Sequence, residues 1–169
     1  STAVLTATED VAYTYTVTAA DVDSGDTLTM TGTTVPGWAT FTASTGVLAG
    51  TPLNADVGAN SVVITVSDGN GGSVTDTFTI TVANTNDAPT ISSTAVLTAT
   101  EDVAYTYTVT AADVDSGDTL TMTGTTVPGW ATFTASTGVL AGTPLNADVG
   151  DNSVVITVSD GTASVTDSF

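Results

Sequence analysis

Along residues 11–19 the chain reads VAYTYTVTA, which puts Val11, Tyr13, Tyr15, Val17 and Ala19 at one parity and Thr14, Thr16 and Thr18 at the other. A period of two marks a strand with one buried and one solvated face. The same alternation points Leu28 and Met30, then Val62, Ile64 and Val66, then Val74, Phe78, Ile80 and Val82 inward. Asp76 shares the inward parity of that last set, which predicts a strand end or bulge there. The turn signals DSGD, VPG, STG, ADVG and DGNGG cut the segment into about seven short strands, and no stretch carries a 3.6-residue stripe. Seven short strands in ~90 residues with frequent turns predict an all-β sandwich, with Trp38 as its large core residue.

The pattern is duplicated. Residues 1–69 recur at 93–161 with one change, Ala59 against Asp151, and the copies diverge only afterwards, GNGGSVTDTF becoming GTASVTDSF. The expected division is therefore two tandem sandwich domains, residues 1–87 and 88–169, with a linker at 84–89 and an incomplete last strand in the second. Such repetition suits an array that gains length with each copy better than it suits a catalyst. Pro89 cannot donate to a ladder, and the six linker residues span at most about 20 Å, so the domains are expected to meet end to end.

Charge narrows the function classes. The 169 residues include two Glu and sixteen Asp but no Lys, Arg or His, for a net charge of −18. Nucleic acid is excluded as a partner, because phosphate binding requires cationic side chains to displace counterions. An anionic membrane surface is disfavoured for the same reason. No apolar run reaches the ~18 residues of a membrane span, so no membrane insertion is expected, and any export address or anchor is expected outside this segment. Without His, Lys or Cys, nucleophilic triads are unavailable; the remaining carboxylate pair, Glu9 and Asp10, sits at a strand end without an aromatic cleft, so no enzyme is expected. The rows of outward Thr read as β-branched residues on a solvated face.

GWATFTASTGVLAGTPLNADVGANSVVITVSDGNGGSVTDTFTITV resembles the dystroglycan-type cadherin-like and immunoglobulin-like tandem repeats of bacterial surface adhesins, through W-x-x-F, x-T-G-x-L-x-G-T-P, D-x-G and x-V-x-D-G. TED at 8–10 stands where cadherins carry a glutamate at the end of the first strand. DVDSGD is similar to the cadherin D-x-D-x-G-x motif, and NTNDAP to the D-x-N-D-N-x-P linker. The resemblance implies immunoglobulin-like sandwiches that bind Ca2+ between successive domains. It implies a complete junction site of Glu9, Asp10 and Asp56 from the first copy, Asn84, Asn86 and Asp87 from the linker, and Asp113, Asp115, Asp118 and Asp160 from the second. Half sites at the ends would comprise Asp21, Asp23, Asp26 and Asp68, and Glu101, Asp102 and Asp148. Asn84 and Ala88 depart from the linker pattern, which leaves one or two ions expected instead of three.

Elementary coordination chemistry agrees. Calcium takes six to eight oxygens, which these residues supply, whereas zinc, copper and iron sites usually draw on His or Cys. DVDSGD does not continue as an EF-hand loop, since Gly25 falls at its fifth position and Gly32 at its twelfth. The expected role is a calcium-rigidified spacer in an extracellular, cell-surface fibre or adhesin, with adjacent identical repeats, or further copies end to end, as partners. The alternatives are a filament subunit assembled by strand donation between chains, and a module recognising a surface carbohydrate or protein ligand.

Overall fold

The computed structural model describes every residue except Ser24. The chain divides into two compact units, Ser1–Thr85 and Asn86–Phe169. The first contains β1 (Thr6–Thr8), β2 (Tyr13–Thr16), β3 (Thr29–Thr34), β4 (Ala39–Thr42), β5 (Val47–Gly50), a 3-10 turn at Asn54–Asp56, β6 (Gly58–Ser67) and β7 (Ser73–Ala83). One sheet runs β1-β7-β6-β3 and the other β2-β5-β4. Between them Tyr13, Tyr15, Leu48, Val62, Ile64, Ile80 and Val82 form the core. All but Leu48 are inward positions of the period-two pattern, so the alternation became the sandwich interior.

Four inward expectations fail at the margins of strands. Val11 is exposed because β2 begins only at Tyr13; its amide closes a turn on the carbonyl of Thr8 at 3.2 Å. Ala19 lies past the end of β2 and is also exposed. Val74 is exposed although it faces Val66 across the ladder, because β1 pairs only with Thr81, Val82 and Ala83 and leaves that end of β7 as a sheet edge. Trp38 is half-buried instead of central: its ring meets Tyr13 edge-on, and its indole N–H donates to Asn60 Oδ1 at 3.1 Å. A large ring with one polar atom settles at the core margin, where that atom finds a partner.

Asp76 is a correction of another kind. It lies within β7, paired with Ile64, with no shift of register. An inward carboxylate is tolerated because the Tyr15 hydroxyl donates to its Oδ2 at 3.2 Å. The matching Tyr107 donates to Asp167 at 2.6 Å in the second unit. The ladder irregularity falls in β3, between Gly32 and Thr34. At Gly32 an added Cβ would collide with Val35 and Phe41, so the missing side chain lets the core close there.

The second unit repeats the plan with β8 (Thr90–Ile91), β9 (Tyr105–Thr108), β10 (Ala111–Ala112), β11 (Thr121–Thr126), β12 (Ala131–Thr134), β13 (Val139–Gly142), a 3-10 turn at Asn146–Asp148, β14 (Val155–Ser159) and β15 (Ser164–Ser168). Its sheets are β11-β14-β15, β12-β13-β9 and the two-stranded β10-β8. Tyr107, Val109, Leu140, Ile156 and Val158 are buried at its centre. Residues 98–100 repeat the sequence of β1 but form no strand, and β14 starts later than β6. In the first unit both segments pair with residues 79–83 of β7. A groove of about 890 Å³ lies beside these segments, with Tyr105, Trp130, Leu145 and Phe169 on its walls.

Candidate functional site

Consecutive acidic turns build the site in the second unit. After β10 the chain turns back at Asp113, whose Oδ1 accepts the Asp115 amide at 2.9 Å, and the Asp118 amide reaches the Asp115 carbonyl at 3.4 Å. Gly117, at φ 109°, supplies the left-handed step that a side chain would resist. The result brings carboxylate oxygens of Asp113, Asp115 and Asp118 within 4.8 Å of one another. Asp113 Oδ2 is buried with no hydrogen-bond partner.

The linker lies on this cluster. The Asp87 amide donates to Asp115 Oδ2 at 2.7 Å, and Asn86 Nδ2 donates to Asp160 Oδ2 at 3.0 Å. Asp160 stands in the β14–β15 turn, where its Oδ1 accepts the amides of Thr162 and Ala163, both at 2.6 Å. The hydrogen bonds from Ala163, Asn86 and Thr162 hold the Asp160 carboxyl below its ordinary range. Asp118 is pushed the other way, by loss of solvent and by the carboxylates of Asp115, Asp113 and Asp160. One acidic end therefore holds a carboxylate satisfied by donors and another strained by its neighbours.

In the first unit the corresponding turns bring together Asp21, Asp26 and Asp68. Asp23, predicted with them, is exposed and lies outside that trio. Its counterpart Asp115 is anchored by the Asp87 amide, and Asp23 has no such anchor among the described residues. At the opposite end of this unit Glu9 follows β1 directly and is stitched to the chain leaving β7. Its amide donates to Ala83 O at 3.0 Å, and its Oε2 accepts the Thr85 amide at 3.2 Å.

The other predicted ligands are placed with less convergence. Asp10 is exposed at φ 60°, with its amide on Pro52 O at 2.9 Å. Asp56 Oδ2 accepts the Leu53 amide at 2.9 Å, which spends that oxygen on closing the 3-10 turn. Asp148 does the same for Leu145 at 2.9 Å, Asp102 repeats the left-handed backbone at φ 58°, and Glu101 is exposed. Asn84 is exposed as well. Two participants escaped the sequence reading: Thr85, whose amide grips Glu9, and Asn70, whose side-chain amide donates to Asp26 Oδ1 at 2.8 Å. The first acts through its backbone and leaves no signal in residue type. The second was legible as an Asn-Gly step inside an Asp-bearing turn.

The donor set is oxygen throughout, and the buried Asp113 oxygen lacks a donor while two further carboxylates crowd it. A hard divalent cation fits these residues: it would satisfy the orphaned oxygen and offset charge that no cationic side chain in the sequence can offset.

The model of the family described as "Putative Ig domain" matches residues 1–83 and again 88–169. The search of curated proteins returns no match. Among solved structures the chain is similar to the PcdhgB3 EC1-4 fragment, with a TM-score of 0.66 at 17% identity over 98% of this chain and 45% of that one. It is similar also to the protocadherin gamma B2 extracellular cadherin domains 1-5, with a TM-score of 0.61 at 17% identity over 97% of this chain and 36% of that one. An endo-fucoidan hydrolase of glycoside hydrolase family 107, MfFcnA4, shares 34% identity over 96% of this chain and 26% of its own length, with a TM-score of 0.44 too low to bear on fold. The chain thus spans less than half of each of these solved chains. The two cadherin likenesses establish an all-β architecture of tandem cadherin-like sandwiches. With the family model covering both copies, the chain belongs to the Ig-domain family that this model defines, as two tandem members.

Proposed function

We propose that this chain is a calcium-binding repeat region of an extracellular bacterial adhesin or surface fibre, and that bound calcium stiffens it into a non-catalytic spacer. The observation that carries the reading is the trio Asp113, Asp115 and Asp118, with a buried oxygen of Asp113 left without a donor and with no Lys, Arg or His in the sequence to answer it. Unfilled, such a cluster repels itself; filled, one ion gathers several carboxylates and whatever linker atoms complete its shell. Asn86 and Asp87 are the linker residues that already touch Asp160 and Asp115. Glu9, Asp10, Asp56 and Asn84 are the further ligands this role asks of the preceding repeat and the linker. Sites of extracellular modules bind calcium at ~10⁻⁴ to 10⁻³ M, which keeps them filled outside a cell and empty within one, so stiffening would follow export.

The test combines small-angle scattering with thermal melting of the two-repeat chain in calcium, in magnesium and in chelator. Calcium is expected to lengthen the maximum dimension and raise the melting temperature, with magnesium weaker because it holds its waters and demands an octahedron. Identical scattering and identical melting in calcium and chelator would overturn the reading.

A further inference from the structure

The turn at residues 68–72 differs between the copies: the first reads Asp-Gly-Asn-Gly-Gly where the second reads Asp-Gly-Thr-Ala. Its backbone is held almost completely. The Asp68 amide donates to Gly72 O at 3.2 Å, the Gly69 amide to Ser67 Oγ at 3.3 Å, and the Asn70 amide to Asp68 Oδ1 at 2.8 Å. The Gly72 amide donates to both carboxylate oxygens of Asp68, at 2.9 and 3.1 Å. Among the described residues only the Gly71 amide in this turn donates no hydrogen bond. Gly71 sits at φ +107° with nothing near the place a Cβ would occupy. Its neighbour Asn70 is exposed, and this is the sole Asn-Gly step in the sequence.

From this arrangement we infer that Asn70–Gly71 is a self-modifying site, at which spontaneous deamidation installs a further carboxylate against Asp26. The nucleophile is the Gly71 nitrogen. Water-derived hydroxide takes its proton, the nitrogen bonds to Cγ of Asn70, and the Cγ–Nδ2 bond breaks, with Nδ2 taking a proton from water and leaving as ammonia. A second water then opens the five-membered imide. Attack at the side-chain carbonyl restores an ordinary peptide bond and leaves aspartate; attack at the backbone carbonyl leaves isoaspartate. The sum consumes one water and releases one ammonia, with no redox change. Glycine favours the step because no side chain blocks the nitrogen, and asparagine is among the thermolabile residues.

The structural consequence is a change of sign at one contact. Asn70 Nδ2 now donates to Asp26 Oδ1 at 2.8 Å, within the trio of Asp21, Asp26 and Asp68. A carboxylate at position 70 presents a like charge in its place, so the turn opens in chelator and offers a fourth acidic ligand to a divalent cation. The ligand consequence rests on the calcium reading above; the chemistry of conversion does not. Asn60 and Asn152 serve as internal controls, since the Oδ1 of each accepts a Trp indole N–H and the Nδ2 of each donates to two backbone carbonyls.

The full chain would be kept at neutral and mildly alkaline pH in chelator and sampled by peptide mass spectrometry, with isoaspartate measured separately. Expected is progressive loss of Asn at position 70 to both products, faster at the higher pH, with Asn60 and Asn152 unchanged and no conversion at this position in Asn70→Thr. Persistence of Asn70 in the folded chain while the denatured chain converts would overturn the inference. So would conversion of Asn60 or Asn152 at the same rate. A calcium titration of Asn70→Asp separates the two layers: tighter binding than the parent supports the added ligand, and unchanged or weaker binding removes that consequence while the mass data still decide the chemistry.

Discussion

Replacing Asp113 by Asn should stabilise the protein in chelator and destabilise it in calcium. The substitution keeps the shape and keeps Oδ1, which accepts the Asp115 amide at 2.9 Å. It removes one of the charges whose oxygens lie within 4.8 Å of each other. Two unit charges at that distance repel by about 1 kcal/mol in water and by about 3.5 kcal/mol at an effective dielectric constant near 20. The Asp113–Asp115 pair lies between those limits. Relief of even about 1 kcal/mol raises the melting temperature of a domain of this size by roughly 4–8 °C. On the proposed calcium reading the balance reverses. At about 100 times its dissociation constant, an ion that binds only the folded state adds about 2.7 kcal/mol, and losing a ligand forfeits much of that. Calorimetric melts of parent and variant in chelator and in saturating calcium would read both signs. Asp151→Ala is the control, because it also removes one negative charge, at the one position among residues 93–161 where the copies differ, and Asp151 is not in the trio. An Asp113→Asn variant that melts lower in chelator would refute the electrostatic argument, and one that melts higher in calcium as well would refute the part assigned to the ion.

Two further outcomes follow from the same geometry. Carbonyl-detected NMR titration in chelator should find Asp118 protonating above the ordinary carboxylate value of 3.8 and Asp160 below it. The raised Asp118 contributes stability at acid pH that is lost as pH rises through its folded value, whereas the lowered Asp160 contributes stability at higher pH that is lost as pH falls through its own; calcium should abolish the upward shift of Asp118. Appending Thr-Ile-Thr-Val-Ala, the sequence of residues 79–83, after Phe169 should fill the groove beside Trp130 and convert residues 98–100 to a strand. The matching Ile80 and Val82 are buried, and each such side chain brings about 1.5–3 kcal/mol of gross burial, so the second unit should melt higher and its residues 98–100 should gain amide-exchange protection. No change in either measurement would show that the groove does not accept that strand.

Much of the fold was legible in the chain because a sandwich core is written locally. Tyr13, Tyr15, Val62, Ile64, Val66, Ile80 and Val82 all occupy the interior that their parity assigned. The acidic turns were legible for the same reason, since Asp113, Asp115 and Asp118 are close in sequence and one turn folds them together. Legibility failed wherever a residue's environment depended on a distant partner. Asp76 reads as a misfit until Tyr15, from another strand, is set against it. Asp23 and Asp115 share one sequence context, yet only the latter receives an amide from a linker in the described chain.

The two copies of TAT give the cleanest division. By itself the sequence determined strand periodicity, the duplication, the lack of any cationic partner for the carboxylates, and hence the oxygen-only chemistry open to them. Whether a given segment became a strand was decided in three dimensions: Thr6–Thr8 pairs with Thr81–Ala83, while the identical residues 98–100 pair with no strand among the described residues. A strand's hydrogen bonds are made to another part of the chain, so its local sequence can permit the conformation but only its partner can complete it.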